Sequence, residues 1–285
     1  MEFIESSGIP CLDFSKNPED LVEGSEGWKN LCKKVREACE VYGCFQVVYD
    51  KVPVQLHEEM VMGLKDLFDL PVETKKKNSN SKVKYAYIPK LDFLPLYESS
   101  GFKVDPTNKL DQARTFTDLM WPNGNPAFCQ TVDRMSKMMV ELERIIRKMI
   151  FESFGVEKYY DSNLKDSEDV LRIMKYDAPP SNVDSAIGVM AHTDNTTIQG
   201  VIYQDIQGLE VLIPKEGDEW VQVAQRQATF IILIGEVFKG WSNGRVHAAK
   251  HRVIMRGEKA RYAYGLYALP KDGVVVEVPK EFIDN

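Results

Sequence analysis

Apolar and polar positions follow two different periods, and the change falls near residue 165. Ahead of it the helical period dominates. Leu31, Val35, Ala38, Cys39 and Tyr42 recur at three- and four-residue steps, which predicts a helix from Trp28 to Val41. A second helix is predicted from Val54 to Phe68, ending before Leu70-Pro71 because the residue ahead of a proline is pushed out of the helical region. The clearest runs from near Pro126 to Phe154. Met135, Met138, Met139, Leu142, Ile145, Ile146, Met149 and Ile150 make one apolar stripe on it, with Arg144, Arg147 and Lys148 expected elsewhere and Gly155 as its stop. So many methionines suit a packed core helix.

Past residue 165 the segments are short, and apolar or alternating. Strands are expected at 170–176, 186–192, 196–204, 209–213, 219–223, 228–234, 245–254, 261–269 and 273–278. Asp177-Ala-Pro-Pro, Gly208, Lys215-Glu-Gly-Asp, Ser242-Asn-Gly and Arg256-Gly break them. Short strands without intervening helices point to an antiparallel double sheet. The expected class is α+β: a double-stranded β-helix, or jelly roll, buttressed by N-terminal helices and the one long helix. Three regions follow: 1–110, helical with some strand; 111–165, linker and long supporting helix; 166–285, the jelly-roll core, all in one integrated unit.

Composition narrows the class. Hydrophobic residues are 44 % and charged residues 28 % of the 285, an ordinary globular balance. The net charge of -7 lacks the basic surplus of a nucleic-acid binder, and Lys75-Lys76-Lys77 with Lys82 and Lys84 reads as a solvated, mobile loop. The start of the chain carries no basic, apolar leader. The longest apolar run, Phe230 to Ile234, is far short of the roughly 20 residues that span a bilayer. Cys11, Cys32, Cys39, Cys44 and Cys129 form no CxxC and suit reduced thiols. A cytoplasmic monomer acting on a small molecule, with no nucleic-acid or membrane partner, is the expectation.

The chemistry starts at Ala191-His192-Thr193-Asp194. An imidazole and a carboxylate two residues apart at a strand end can share one sheet face and one ion. A third ligand must come from elsewhere. His247 and His251 are four apart, so strand parity alone does not choose between them. His251 is favoured because Arg252-Val253-Ile254-Met255 would hold it in a strand. It also precedes Arg261 by one hairpin across Gly257, which sets an imidazole and a guanidinium on adjacent strands. Two imidazoles and a carboxylate on one side of an ion leave the other side open, the arrangement of non-haem iron(II) oxygenases. His57 reads as a core histidine.

The span His192-Thr-Asp, Tyr203-Gln-Asp, Gly208-Leu-Glu-Val-Leu, Trp220-Val-Gln-Val, Ile234-Gly-Glu, Ser242-Asn-Gly-Arg and His251-Arg-Val resembles the catalytic core of plant 2-oxoglutarate/iron(II)-dependent dioxygenases. Ile9-Pro-Cys-Leu-Asp-Phe, Ala38-Cys-Glu-Val-Tyr-Gly-Cys-Phe-Gln-Val and Leu67-Phe-Asp-Leu-Pro-Val-Glu-Thr-Lys resemble that family's N-terminal region. Pro95-Leu-Tyr-Glu-Ser, Met120-Trp-Pro-Asn-Gly-Asn and Leu171-Arg-Ile-Met-Lys-Tyr resemble the branch of glucosinolate side-chain-modifying and auxin-oxidising enzymes. The resemblance covers roughly residues 8 to 280.

It implies that iron(II) sits on His192, Asp194 and His251, that 2-oxoglutarate takes two further iron positions and that dioxygen takes the last. Arg261 matches the arginine that grips the far carboxylate of 2-oxoglutarate, and Tyr176 a tyrosine that hydrogen-bonds it. The implied outcome is oxidation of a small plant metabolite (hydroxylation, demethylation, desaturation or cyclisation) with release of succinate and carbon dioxide. Tyr87, Phe93, Tyr97, Phe102, Phe116, Phe238 and Tyr267 are the aromatic candidates for the pocket.

Three positions depart from the family. Arg261-Tyr-Ala replaces the usual Arg-x-Ser, Met174 stands where the wider family has asparagine, and the sequence stops at Asn285 where relatives continue. An open cavity, or closure by another element such as the 80–105 loop, is the expectation. The missing serine and the early stop also motivate a rival reading, a non-catalytic ligand-binding protein. A hydrolytic or isomerising jelly-roll protein with a zinc-like ion is a second rival, but it leaves Arg261 and Tyr176 without a task.

Overall fold

A computed structural model describes residues 8–79, 85–105, 111–196, 198–214 and 218–283; Lys82, Lys84 and the break at 215–217 lie outside them. In chain order the elements are β1 (Cys11–Asp13), α1 (Glu26–Val41), β2 (Cys44–Val48), α2 (Val54–Phe68), α3 (Val72–Lys75), β3 (Tyr97–Val104), α4 (Asp111–Met120), α5 (Pro126–Ser153) and α6 (Tyr160–Asp166). They continue with β4 (Ser167–Tyr176), β5 (Ser185–His192), β6 (Gln199–Gln204), β7 (Leu209–Ile213), β8 (Glu219–Gln222), β9 (Thr229–Ile234), α7 (Glu236–Trp241), β10 (His251–Arg256) and β11 (Arg261–Pro270).

Two sheets result. The major sheet has seven strands in the order β1-β2-β9-β6-β11-β4-β3, and the minor has four in the order β5-β10-β7-β8. One apolar cluster lies between them, joining Met174, Ile202, Ile231 and Ala263 of the major sheet to Leu209, Val211 and Val253 of the minor. A larger cluster backs the other face of the major sheet with residues of α1, α2, α4 and α5. The α+β class and the double-sheet core expected from the patterning are therefore those observed.

Helix α5 shows how local sequence sets the scaffold. Asn125 caps it, its side chain accepting from the Phe128 amide at 3.1 Å, and Pro126 sits where a missing N–H costs nothing. Just past the end, Gly155 takes φ +69°, which a side chain would resist. The predicted stripe faces the sheet: Met135, Met139, Leu142, Ile146, Met149 and Ile150 are buried. Arg147 does not point elsewhere. It is fully buried, ion-paired with Glu143 at 2.6 Å and bonded to Ser167 Oγ at 3.2 Å, while Arg144 pairs with Glu143 and Asp169. These charges face their acids along α5 and across to β4, which is what lets them leave water.

The N-terminal part holds strands the periodicity did not reveal. β1 and β2 extend one edge of the major sheet, β2 pairing with β9, and β3 extends the other, pairing with β4. Of the expected strand at 245–254 only the part from His251 is strand. In the preceding loop the amides of His247 and Ala249 donate to the carbonyls of Cys39 and Ile234 at 2.9 and 3.1 Å, so they are spent outside any ladder. Residues 273–278 are not a strand either. Val275 is 79 % exposed, and this β-branched run has no partner strand among the described residues. A short helix, α7, interrupts the supposedly helix-free half.

Candidate metal and co-substrate site

His192 and His251 meet because they are register partners: β5 and β10 pair antiparallel with His251 opposite His192. Directly opposed residues share a sheet face, and their ring centroids lie 4.2 Å apart. Asp194 arrives differently from the alternation argument. β5 ends at His192, so Asp194 belongs to the following loop, which α7 holds. The Glu236 amide donates to the Asp194 carbonyl at 2.8 Å, and the Gly235 amide to the Ile198 carbonyl at 3.2 Å. Gly235 is glycine for space, since a Cβ there would stand 2.0 Å from Thr196 Oγ1. The sequence span Ile234-Gly-Glu thus positions the carboxylate, a role not read from the sequence.

The side chains are oriented for a cation. Each imidazole directs Nδ1 at a carbonyl two residues earlier, His192 at Met190 (2.9 Å) and His251 at Ala249 (3.0 Å). A carbonyl can only accept, so each Nδ1 carries the proton and each Nε2 lone pair is turned to the centre. There the two Nε2 atoms lie 3.6 and 3.9 Å from Asp194 Oδ1, and one ligand atom from each residue falls within 4.8 Å of the others. Asp194 Oδ2 is buried with no hydrogen-bond partner. Two Nε2 atoms facing Asp194 Oδ1, with the second carboxylate oxygen left unbonded, fit a divalent ion preferring mixed nitrogen and oxygen ligands. His192 is 43 % exposed at its side chain and His251 only 6 %, so the group opens on one side.

Burial works against Asp194 ionisation, but the two imidazoles outweigh it and hold its carboxyl below the ordinary range. Burial is also the main influence on His251, whose pKa is lowered, favouring the neutral ligand form. For His192, burial is opposed by the bond to Asp194, and the net direction is upward. His247 is not in the group, lying in the loop before β10.

Arg261, at the start of β11, lines the same cavity of about 290 Å³. It is 1 % exposed. Its Nε donates to the Ile206 carbonyl at 3.0 Å and its Nη2 to Gln204 Oε1 at 2.9 Å, but its Nη1 is buried without a partner. A buried guanidinium held at two nitrogens with a third left over fits an incoming carboxylate. Gln204 is itself fixed, donating to the Val223 carbonyl at 3.1 Å. It lies in the Tyr203-Gln-Asp span that carried the resemblance, but its task as the holder of Arg261 needed coordinates. Tyr176 packs under the guanidinium, 4.7 Å from ring centroid to Cζ, and its hydroxyl faces Met174 Sδ at 3.6 Å. The thioether thus takes a place at the tyrosine where the wider family has an amide.

Of the aromatic candidates only Tyr97 and Tyr267 line the cavity. Phe102 and Phe116 stack on each other in the helix-backed core, Phe238 packs on Trp241, Tyr87 bonds Glu98, and Phe93 is exposed. Arg172, Leu94 and Leu269 line the cavity and were not anticipated as lining residues.

Two sheets enclosing two histidines, an aspartate and a partnerless arginine nitrogen define the class of non-haem metal-dependent oxygenases. Comparison with known proteins agrees. Residues 167–267 match the 2OG-Fe(II) oxygenase superfamily, and residues 9–124 match the N-terminal region of non-haem dioxygenases in morphine synthesis. A probable 2-oxoglutarate-dependent dioxygenase of Arabidopsis thaliana, AOP1, is 37 % identical over 97 % of this chain and 90 % of its own. Among solved structures, the dioxygenase for auxin oxidation 1 from Arabidopsis thaliana, in complex with 2-oxoglutarate, superposes with a TM-score of 0.84 at 27 % identity, covering 97 % of this chain and 98 % of that one. The rice dioxygenase for auxin oxidation gives 0.79 at 28 % identity, covering 97 % and 88 %. The chain belongs to the 2-oxoglutarate- and iron(II)-dependent oxygenase superfamily and is a 2-oxoglutarate-dependent dioxygenase of the branch its sequence resembled. Among the described residues no helix is long and apolar enough to cross a membrane.

Proposed function

We propose that His192, Asp194 and His251 hold iron(II), that Arg261 and Tyr176 receive the far carboxylate of 2-oxoglutarate, and that the enzyme oxidises a small plant metabolite. The supporting observation is convergence: two Nε2 atoms and Asp194 Oδ1 at one point, with the unbonded Nη1 of Arg261 on the same cavity. With dioxygen, the iron and 2-oxoglutarate supply oxidative decarboxylation to succinate and carbon dioxide, and the oxidising equivalent that takes hydrogen from a substrate C–H bond.

The chain's own residues position and exclude. The Met190 and Ala249 carbonyls keep the imidazoles in the ligating tautomer, and α7 keeps Asp194 from swinging away. Gln204 and the Ile206 carbonyl fix the fork of Arg261, so a carboxylate meets it without reorganisation. Met174, Ile202, Leu209 and Val253 make the wall apolar, which strengthens each charge interaction within.

The relatives named for auxin oxidation make a hormone or a specialised plant product the first class to examine. The protein is proposed to work as a cytoplasmic monomer. All five cysteines are unbridged, as a reducing compartment requires, and one chain provides every group of the site.

The test is anaerobic loading with iron(II) and 2-oxoglutarate, then oxygen, following succinate. Succinate release is expected, together with loss of bound iron in His251→Ala and retention of it in His247→Ala. Iron loss in His247→Ala instead would exchange the two residues, and no succinate with any small acidic or aromatic candidate would leave a ligand-binding protein.

A further inference from the structure

We propose that Arg172 and Tyr267 form a second anion subsite, so that the substrate is a small carboxylate with an apolar or aromatic body. This rests on the reading above, in which Arg261 is occupied by 2-oxoglutarate. Alternation along β4 splits its side chains: Leu171 and Ile173 enter the helix-backed core, whereas Arg172, Met174 and Tyr176 line the cavity. A second guanidinium therefore faces the chamber that holds the metal-ligand group.

The neighbours of Arg172 make room for it. Its register partners on both flanking strands are glycines, Gly101 on β3 and Gly265 on β11. Register partners share a face, so neither supplies a side chain beside the guanidinium. Tyr267 uses the space over Gly265. A Cβ at Gly265 would stand 2.8 Å from Tyr267 Cε2 and 3.1 Å from its hydroxyl, and a Cβ at Gly200 would stand 3.1 Å from Cε1. The ring thus lies across two glycines, its hydroxyl end over the strand position beside Arg172. At the Gly200 end the same Cβ would be 3.8 Å from Asp194 Oδ2, so the ring spans the distance between the metal-ligand group and the second arginine.

Charge and surroundings indicate what fits. Burial pushes the Tyr267 phenol well above its ordinary range, with Asp194 adding to the rise and Arg172 opposing it, so the hydroxyl remains a donor. Arg172 is braced: it donates to Ser99 Oγ and to the Ala86 carbonyl at 3.5 Å. A braced guanidinium and a phenol O–H together suit a carboxylate. Leu94, Tyr97 and Leu269 supply apolar wall around them. An acid anchored there would lay its body across the Tyr267 ring toward Asp194.

The test uses anaerobic, iron(II)-loaded protein saturated with 2-oxoglutarate and calorimetric binding of phenylacetate, cinnamate and indole-3-acetate, each against its primary amide. Wild type is expected to bind at least one acid about tenfold or more tightly than its amide. Arg172→Gln should weaken that acid by about 10- to 150-fold, the range for a charged hydrogen bond, and leave the amide unchanged. Arg172→Lys should keep most of the preference, and Tyr267→Phe should cost the acid about 2- to 10-fold. Equal binding of every acid and its amide, no binding of any acid, or an unaltered preference in Arg172→Gln would overturn the proposal. Stabilisation by 2-oxoglutarate, read in thermal unfolding, serves as the folding control and should match wild type in Arg172→Gln. Retained 2-oxoglutarate affinity in Arg261→Gln would defeat the underlying reading instead, by a measurement independent of substrate binding.

Discussion

Strand β11 sends Tyr262, Tyr264 and Leu266 into the helix-backed core and Arg261, Ala263 and Tyr267 into the cavity, so the two faces of one sheet can be compared residue by residue. Each face buries an arginine. On the helix side Arg147 is fully buried with its own acid, Glu143, at 2.6 Å. On the cavity side Arg261 is bonded to an amide and a carbonyl, with one nitrogen left over. Each face also buries a histidine. His57 stacks on Tyr203 at 4.2 Å between centroids and bonds the Tyr264 hydroxyl through Nδ1 at 2.6 Å. His251 is as well covered, but a backbone carbonyl holds its Nδ1 and an acid lies near its Nε2. Burial is common to both faces, and each leaves a nitrogen without a hydrogen bond, Nε2 of His57 on one and Nη1 of Arg261 on the other. What differs is the surroundings: Arg147 has an acid of its own and His57 lies among aromatic rings, whereas Arg261 and His251 line the chamber.

Removing a group that lines the chamber should cost activity, whereas removing one packed in the helix-backed core should cost stability. The largest expected effect is Asp194→Ala. It should lower turnover by at least about a thousandfold, the scale of losing an activating metal, while the unfolding transition of the chelator-treated protein changes little. Succinate release and iron content read the first, and denaturant unfolding the second. Activity surviving with iron bound would mean the carboxylate is not a ligand.

His57 should show the opposite. Burial lowers its pKa from 6.5 to about 4, so the folded state refuses a proton that the unfolded chain accepts between those values. Stability from this group is complete above pH 6.5 and is lost as pH falls toward 4, by about 3 kcal/mol in all. The stability difference between wild type and His57→Gln, from urea unfolding of chelator-treated protein, should shrink by about that amount between pH 7 and pH 4. A constant difference would mean that His57 takes up its proton in the core.

Arg261→Gln comes next. Losing a charge-assisted contact of about 1.5–3 kcal/mol should raise the 2-oxoglutarate concentration for half-maximal succinate release by about 10- to 150-fold. Iron content should hold, because Arg261 lies outside the group formed by His192, Asp194 and His251. A comparable rise for Arg147→Gln would undo the contrast between the arginines.

Much of this was legible in the sequence, and the gaps have physical causes. Helix α2 matches its expected span, and β7 does too, because amphipathic periodicity is a local property. β1, β2 and β3 were hidden because they add to the two ends of the sheet by pairing with strands far along the chain: Phe45 of β2 pairs with Ile232 and Phe102 of β3 with Leu171. The run Val274-Val-Val misled for the converse reason, having β-propensity without a partner strand. Within the site, His192 and Asp194 stand close in sequence, but their common direction comes from an α7 contact some forty residues later. Gln204 and Arg172 could not be ranked without knowing which side of the sheet faces the cavity.

The smallest effect expected concerns Ala263, where the family pattern carries serine. Ala263 is fully buried and lines the cavity, in register with Gln204 on one side and Met174 on the other. In Ala263→Ser the new hydroxyl enters a site without 2-oxoglutarate next to an amide whose oxygen already accepts from Arg261. A buried hydroxyl without a partner costs about 1–3 kcal/mol, so the ligand-free protein should melt lower than wild type. With 2-oxoglutarate bound, the same hydroxyl can donate to the carboxylate beside Arg261, which should tighten binding by about 2- to 10-fold. The two melting curves should therefore approach each other as 2-oxoglutarate is raised, by linkage. A constant gap at every concentration would show that position 263 behaves like the helix-backed face, indifferent to 2-oxoglutarate, although its side chain lines the chamber.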